Sequence, residues 1–551
     1  MRNPQVFGLP YTSDFFVPLM TILTRSHLLA AVGLAGVISL GALQPAAGQA
    51  IAGLRSSVPT AVVNPVLPGD FPDPSVTKIG NTYWATATSS NWGPVFPLLK
   101  STNLTNWTLV GHVFSGEQPA WADYYFWAPE ISQDGGKTYI FYAAHKKGGN
   151  LAVGVASADR PEGPYRDHGP LVGQPDGSID AFPVRDEKGQ PYLVWKEDGN
   201  SIGQPTPIWA QPMNAARTAL TGTKTELFRN TAPWEGRLVE GVSMVRHGGY
   251  FYAFYAANGC CGGSCTYATG VARAKTLLGP WEKYTRNPIL TQNDTWKCPG
   301  HGTAVERNGH WYLLHHAYTA APGGEMVGRQ GLLSEFIWNA GGWPVFVSGG
   351  LGAPAPTRPA PPVRDGFDGA ALGLAWQWPV EYRPAAAVGG GQLHLTARPD
   401  HGGAVLGHTI YTTNYDATAT LLRPAALPAG AAAGLAAFGD PDNALALLAG
   451  DGRLRLVRRA KGQEEVLVET TLPTGAGPLR LRLQARRSTH FGFAYSTDDG
   501  RTWQALMPPG SGVDGAYLPP WDRGIRVGVL AQGPTTAVAN FDEFTLTSQT
   551  L

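Results

Sequence analysis

The sequence predicts an all-β fold: a five-bladed β-propeller over residues 60–348, followed by a β-sandwich over 364–551. Three observations lead there. A polar residue, a short variable stretch, a Gly-containing turn and an aromatic-rich apolar run recur five times at a blade-sized period. Gly (70) and Pro (46) are plentiful, as a chain of many short strands and turns requires. Past a Pro/Ala-rich stretch at 349–363 the repeat stops, and short alternating strands continue without a strong helical pattern.

In chain order, Arg25 precedes an apolar run from Leu28 to Leu43, and Gly48-Gln49-Ala50 supplies small residues for cleavage. Residues 1–50 are therefore expected to be an export signal, with Met20 as an alternative start and a retained anchor as the competing reading. The expected location is extracellular or periplasmic. The repeats begin with Asp73-Pro74-Ser75 leading to Tyr83-Trp84, then Glu130-Ile131-Ser132 leading to Tyr139. Asp180-Ala181-Phe182 leads to Tyr192, Glu240-Gly241-Val242 to Tyr250, and His301-Gly302-Thr303 to Trp311. The polar heads stand 57, 50, 60 and 61 residues apart, and the first aromatic follows each by 10, 9, 12, 10 and 10. Such repeats bury their faces only against neighbours, so five should close a ring with every head at a common axis.

The 349–363 stretch reads as an extended linker. In the expected sandwich, Leu479-Arg480-Leu481-Arg482-Leu483 alternates as a half-buried strand does, and Ser496–Trp503 fits an Asp-box, a hairpin device with a structural role. Cys260, Cys261, Cys265 and Cys298 cluster around the fourth repeat. They suggest one or two disulfides, with three full pairings open and a zinc site as the competitor.

Formal net charge is +1, 15% of residues are charged, and no Lys/Arg run exceeds two. This argues against a nucleic-acid or anionic-membrane partner. Three of the five heads are carboxylates: Asp73, Asp180 and Glu240. Rigid strands from different blades can set two carboxyls across a funnel at the spacing that inverting glycoside hydrolysis requires. Crowding them should raise at least one pKa and keep an acid protonated near neutral pH.

The stretch Asn64-Pro65-Val66-Leu67-Pro68-Gly69-Asp70-Phe71-Pro72-Asp73-Pro74-Ser75 resembles the opening motif of glycoside hydrolase family 43. Trp127-Ala128-Pro129-Glu130 is similar to that family's Trp-Ala-Pro-Asp segment, with Glu in place of the commoner Asp. Ser178-Ile179-Asp180, Val239-Glu240-Gly241 and Gly328-Arg329 match its later motifs in order. Asp365–Gly369, Trp376-Gln377-Trp378 and Ala539–Phe544 resemble, more loosely, the lectin-like sandwich appended to many of its members.

The resemblance implies inverting hydrolysis of arabinose- or xylose-containing polysaccharides such as arabinan, arabinoxylan or xylan. The leading expectation is an exported α-L-arabinofuranosidase, with β-xylosidase, arabinanase, a non-catalytic glycan binder or a sialidase as alternatives. It makes Asp73 the general base, Glu240 the general acid and Asp180 the residue that orients the acid and tunes its pKa. His301 becomes an axial residue that could sit near a structural calcium through water; no cofactor is required. Arg329 would contact a sugar or hold a cleft carboxylate, and Glu130 would bind a hydroxyl or brace the fold. Trp121, Tyr124, Tyr125, Phe126, Trp127 and Trp92 are the candidates for sugar stacking. A monomer is expected.

Overall fold

The computed structural model describes residues 62–347, 351, 362–473, 477–486, 489–508 and 510–549. The expected export signal at 1–50 lies outside them, as does most of the 349–363 linker. Five four-stranded antiparallel sheets follow one another. Blade 1 is built from Ser75–Ile79, Thr82–Thr86, Val95–Ser101 and Thr108–Phe114. Blade 2 opens with Trp127–Asp134, blade 3 with Ser178–Arg185, blade 4 with Val239–His247 and blade 5 with Trp296–Arg307. Each opening strand touches that of the next blade, and blade 5 touches blade 1, so the ring closes around these five strands. The N-terminal segment reinforces the closure: Val66 and Leu67 N–H donate to the Gly331 carbonyl of blade 5 at 3.0 Å.

The aromatic runs that mark the repeat lie on the second strands, where Phe141, Tyr142, Phe251, Tyr255 and Leu314 are fully or almost fully buried. They are buried on both faces because each blade packs between two others. That explains why these strands read as continuous apolar runs instead of alternating ones.

Residues beyond 362 form two packed antiparallel sheets of nine and six strands. Strand Leu479–Arg486 alternates as the sequence predicts, inward leucines against half-exposed arginines. Strands Ala432–Asp440 and Asn443–Gly450 of the six-stranded sheet do not alternate; both are buried almost throughout. One face of that sheet joins the sandwich core, and the other meets the propeller.

Trp92 belongs to this junction. It is 2% exposed and packs edge-on to Phe438, with ring centroids 6.0 Å apart. Trp92–Gly93 pairs with Trp378–Pro379 as a two-stranded ribbon between the two domains. Its expected sugar-stacking role is therefore corrected: the sandwich covers the ring. Trp121 and Phe126 are corrected likewise, since Trp121 stacks on Tyr142 and Phe126 is fully buried.

Candidate active site

The blades deliver their side chains through one repeated backbone device. Asp73, Ala128, Asp180, Gly241 and His301 all have positive φ, between 40° and 60°. In blades 2 to 5 this residue sits in a break of the register between the first and second strands. Such a bulge re-aims a side chain out of the sheet. Only Gly fits in blade 4, because a Cβ on Gly241 would lie 2.7 Å from the His301 ring. The bulge residue is thus Ala128 in blade 2 and Gly241 in blade 4, so Glu240 stands one position before its bulge and Glu130 two after.

Asp73, Asp180 and Glu240 nevertheless line one cavity of about 340 Å³, with His301 and Arg329. Asp73 is held from several sides: Arg329 Nη1 donates at 2.9 Å and Thr88 Oγ1 at 2.7 Å, and His301 Nδ1 stands 3.4 Å away. Burial opposes ionisation of Asp73, but Arg329, His301 and His316 outweigh it and hold the carboxyl far below the usual range. The same His301 nitrogen lies 3.9 Å from Asp180 Oδ2, so one imidazole stands between the two aspartates. Arg329 holds a cleft carboxylate, one of its two expected placements. No group of three or more His, Cys, Asp or Glu among the described residues is arranged to hold a metal ion.

Glu240 and Asp180 are driven apart. Burial pushes both upward. Asp180, which accepts the Gly241 N–H at 2.8 Å, rises to about 6, with Glu240 adding to burial and His301 opposing it. Glu240 is instead lowered, because Lys196 Nζ donates to Oε2 at 2.6 Å and the Tyr267 hydroxyl to Oε1 at 2.8 Å. Lys196 is 1% exposed and also bonds Asp198 Oδ1 at 2.7 Å. The raised carboxyl is therefore Asp180, not the one expected to act as acid. The two exchange influence across the Gly241 bulge, and their shared proton belongs to the pair.

Lys196→Met removes the cation that lowers the Glu240 carboxyl. The pair should then hold its proton to higher pH, and the basic limb of the kcat/KM profile should move upward. A profile that stays in place would show that Lys196 does not set the protonation of the pair.

Trp127 and Trp521 meet edge to face at the cavity wall, their centroids 5.8 Å apart. Trp521 is contributed by the sandwich and is 53% exposed. Trp127 Nε1 donates to Asp522 Oδ2 at 3.1 Å, and Arg329 Nη2 donates to the Asp522 carbonyl at 3.0 Å. Tyr125 stacks on Trp127 at 4.4 Å without lining the cavity, and Tyr124 stacks on His145. Glu130 is also absent from the lining: its Oε2 accepts from Thr303 Oγ1 at 3.1 Å, and burial raises its pKa well above the usual value. Both residues follow their bulges by two, so they pair one step farther along the strands. A hydroxyl-binding role for Glu130 is corrected to this internal bond.

Lys196, Tyr267, Trp521 and Asp522 escape sequence reasoning. For Lys196 a signal exists: a lysine closing the apolar run Tyr192-Leu193-Val194-Trp195 needs a buried anion. Nothing in the sandwich sequence points its Trp521 loop at the propeller axis. The four cysteines form two disulfides, Cys260–Cys261 and Cys265–Cys298, which leaves no thiolate for zinc.

A family model described as Glycosyl hydrolases family 43 matches residues 62–344. A second, described as a Beta xylosidase C-terminal Concanavalin A-like domain, matches 364–547. A xylosidase/arabinosidase of Butyrivibrio fibrisolvens is 30% identical over 307 residues, covering 52% of this chain and 57% of that protein. A xylan 1,3-β-xylosidase of a Vibrio species is 28% identical over 359 residues, covering 57% of this chain and 64% of its own length. Both matches span less than two thirds of the relative. Among solved structures, the protein BlXynB of Bacillus licheniformis superposes with a TM-score of 0.74 at 25% identity, covering 88% of this chain and 99% of that one.

Proposed function

The chain belongs to family 43 of the glycosyl hydrolases, and from that premise we propose that it is an exo-acting, inverting glycosidase that removes a terminal pentosyl group from arabinose- or xylose-containing polysaccharides. The observation that carries this reading is the meeting of Asp73, Asp180 and Glu240 in one cavity with their charge states set apart. Inversion takes one carboxylate to activate water and one carboxylic acid to protonate the departing oxygen on the other side of the sugar. Asp73, ionised at any working pH, takes the proton of the attacking water. Glu240 donates to the glycosidic oxygen the proton that it shares with Asp180, and Asp180 orients it through the Gly241 bulge. Trp521 and Asp522 add a wall from the sandwich to the cavity that holds the three carboxyls, and a cavity so walled suits a chain end.

The terminal sugar we assign is α-L-arabinofuranosyl. β-D-Xylosyl is the second reading, favoured by the names of both relatives and by the description of the matched C-terminal domain. An export signal at 1–50 fits action on polymers outside the cell. The test is a panel of aryl α-L-arabinofuranosides and β-D-xylosides alongside arabinoxylan and arabinan, with NMR of the first-formed anomer. Release of a single pentose with inverted anomeric configuration is expected; retention, or release of longer oligosaccharides first, would refute the mechanism or the exo action respectively.

A further inference from the structure

Cys260 and Cys261 are adjacent and bonded to each other, and both line the cavity that holds the three carboxyls. A bond between neighbours closes no chain loop, and the stabilisation a disulfide brings grows with the length it encloses. Cys265–Cys298 encloses a separation of 33 residues against 1 for the vicinal pair.

The loop that carries the pair is already secured without it. Cys298 is fully buried in the opening strand of blade 5, so Cys265 is tied to the ring. Thr266 N–H donates to the Gly259 carbonyl at 2.8 Å, closing the loop base. Gly262 N–H donates to the Tyr318 hydroxyl at 3.2 Å, pinning the residue next to the pair. A stapling role therefore leaves the Cys260–Cys261 bond without a task.

Its surface is the informative part. Each sulfur spends its valence on the other, so the half-buried pair presents two polarizable atoms with no N–H or O–H to the cavity. The charged part of the wall, with Lys196, Asp198 and Glu240, can bond sugar hydroxyls but gives nothing to the C–H face of a ring. A sugar site needs both kinds of wall. Cys260 also packs in the small apolar cluster that contains Tyr267, the residue whose hydroxyl bonds Glu240.

We infer that the Cys260–Cys261 disulfide is a substrate-contacting platform that packs against the C–H face of the terminal pentosyl ring by dispersion and holds it beside Glu240. This rests on the glycosidase reading above. The contact is made in ground state and transition state alike, so its loss should appear in KM and leave kcat nearly unchanged.

Cys260→Ser/Cys261→Ser replaces the sulfur surface with two hydroxyls. KM on the preferred aryl pentoside, and the inhibition constant of the free pentose that the wild type releases, should each rise about 3- to 10-fold. Unchanged values in a folded variant would overturn the platform. A second measurement needs no variant: reduce the native protein with a phosphine and map the alkylated thiols by mass spectrometry, with and without saturating pentose. Bound sugar should slow reduction of Cys260–Cys261 several-fold and leave Cys265–Cys298 unaffected; equal rates with and without sugar would also overturn the platform. A wild type inactive on every pentoside would overturn the glycosidase reading itself, an outcome distinct from an active wild type with an unchanged double variant.

Discussion

Asp73→Asn should lower kcat/KM on an aryl pentoside by about 10³-fold, the size of effect that loss of a positioned general base brings. The amide keeps the shape, its oxygen can still accept from Arg329 Nη1 and its NH2 can donate to Thr88 Oγ1, but it cannot take a proton from water. Asp73→Ala is a poorer probe, because it leaves the buried Arg329 guanidinium without its carboxylate and adds a folding defect to the kinetic one. The contrast with Glu240→Gln identifies the two roles. A good leaving group needs little protonation, so Glu240→Gln should spare an activated aryl substrate and cripple turnover of arabinoxylan, whereas Asp73→Asn should depress both equally. The structure sharpens this comparison: Asp180, not Glu240, has its pKa raised to about 6. If Asp180→Asn discriminates between leaving groups while Glu240→Gln does not, the proton donor is Asp180 and the assignment must be exchanged.

That ambiguity marks the boundary of what the sequence makes readable. The ring was legible because a propeller imposes one period on its turns and its aromatic strands. Asp73, Asp180 and His301 were legible because they are at once the positive-φ residues of the repeated backbone device and the chemically conspicuous ones. Glu130 misled, since a carboxylate near the right spacing looks like a head, whereas the backbone places Ala128 at the bulge. Trp92 misled for a different reason. An aromatic in a loop after an inner strand suits a cleft mouth until a second domain covers it, and such covering depends on contacts hundreds of residues apart. Trp521 and Asp522 are the converse case, illegible from their own neighbourhood because their role exists only where the sandwich meets Arg329 and Trp127. Charge tuning of Glu240 by Lys196 is likewise tertiary, since the two stand 44 residues apart on different blades.

The junction between the domains sets the other large effect, because it is built on a buried ion pair. Asp70, three residues before the candidate base, has one carboxylate oxygen on the Arg329 N–H at 3.2 Å. Its other oxygen accepts from the Gly524 N–H at 3.0 Å and from Arg526 Nη1 at 3.1 Å. Both side chains are 3% exposed or less. The approach is so close that a Cβ on Gly328 would fall within the contact radius of Asp70 Oδ1, which with its φ of 91° restricts that position to Gly. Nearby, Met326 and Val327 of the propeller enter the sandwich core, and the Ile525 N–H donates to the Met326 carbonyl at 3.0 Å. Asp70→Ala would leave Arg526 buried and uncompensated, which costs about 3–5 kcal/mol, whereas an apolar replacement of both partners would cost far less. Denaturant unfolding should therefore show Asp70→Ala strongly destabilised, and Asp70→Ala/Arg526→Met recovering much of the loss. A single variant within about 1 kcal/mol of wild type would show the pair to be dispensable. Because Asp522 and Trp521 lie just upstream of Gly524, Asp70→Ala should also raise KM at temperatures where the protein stays folded. Weakening at one buried carboxylate would then be felt at the wall of the cavity that holds the three carboxyls, which would make the sandwich a working part of that cavity and not only its support.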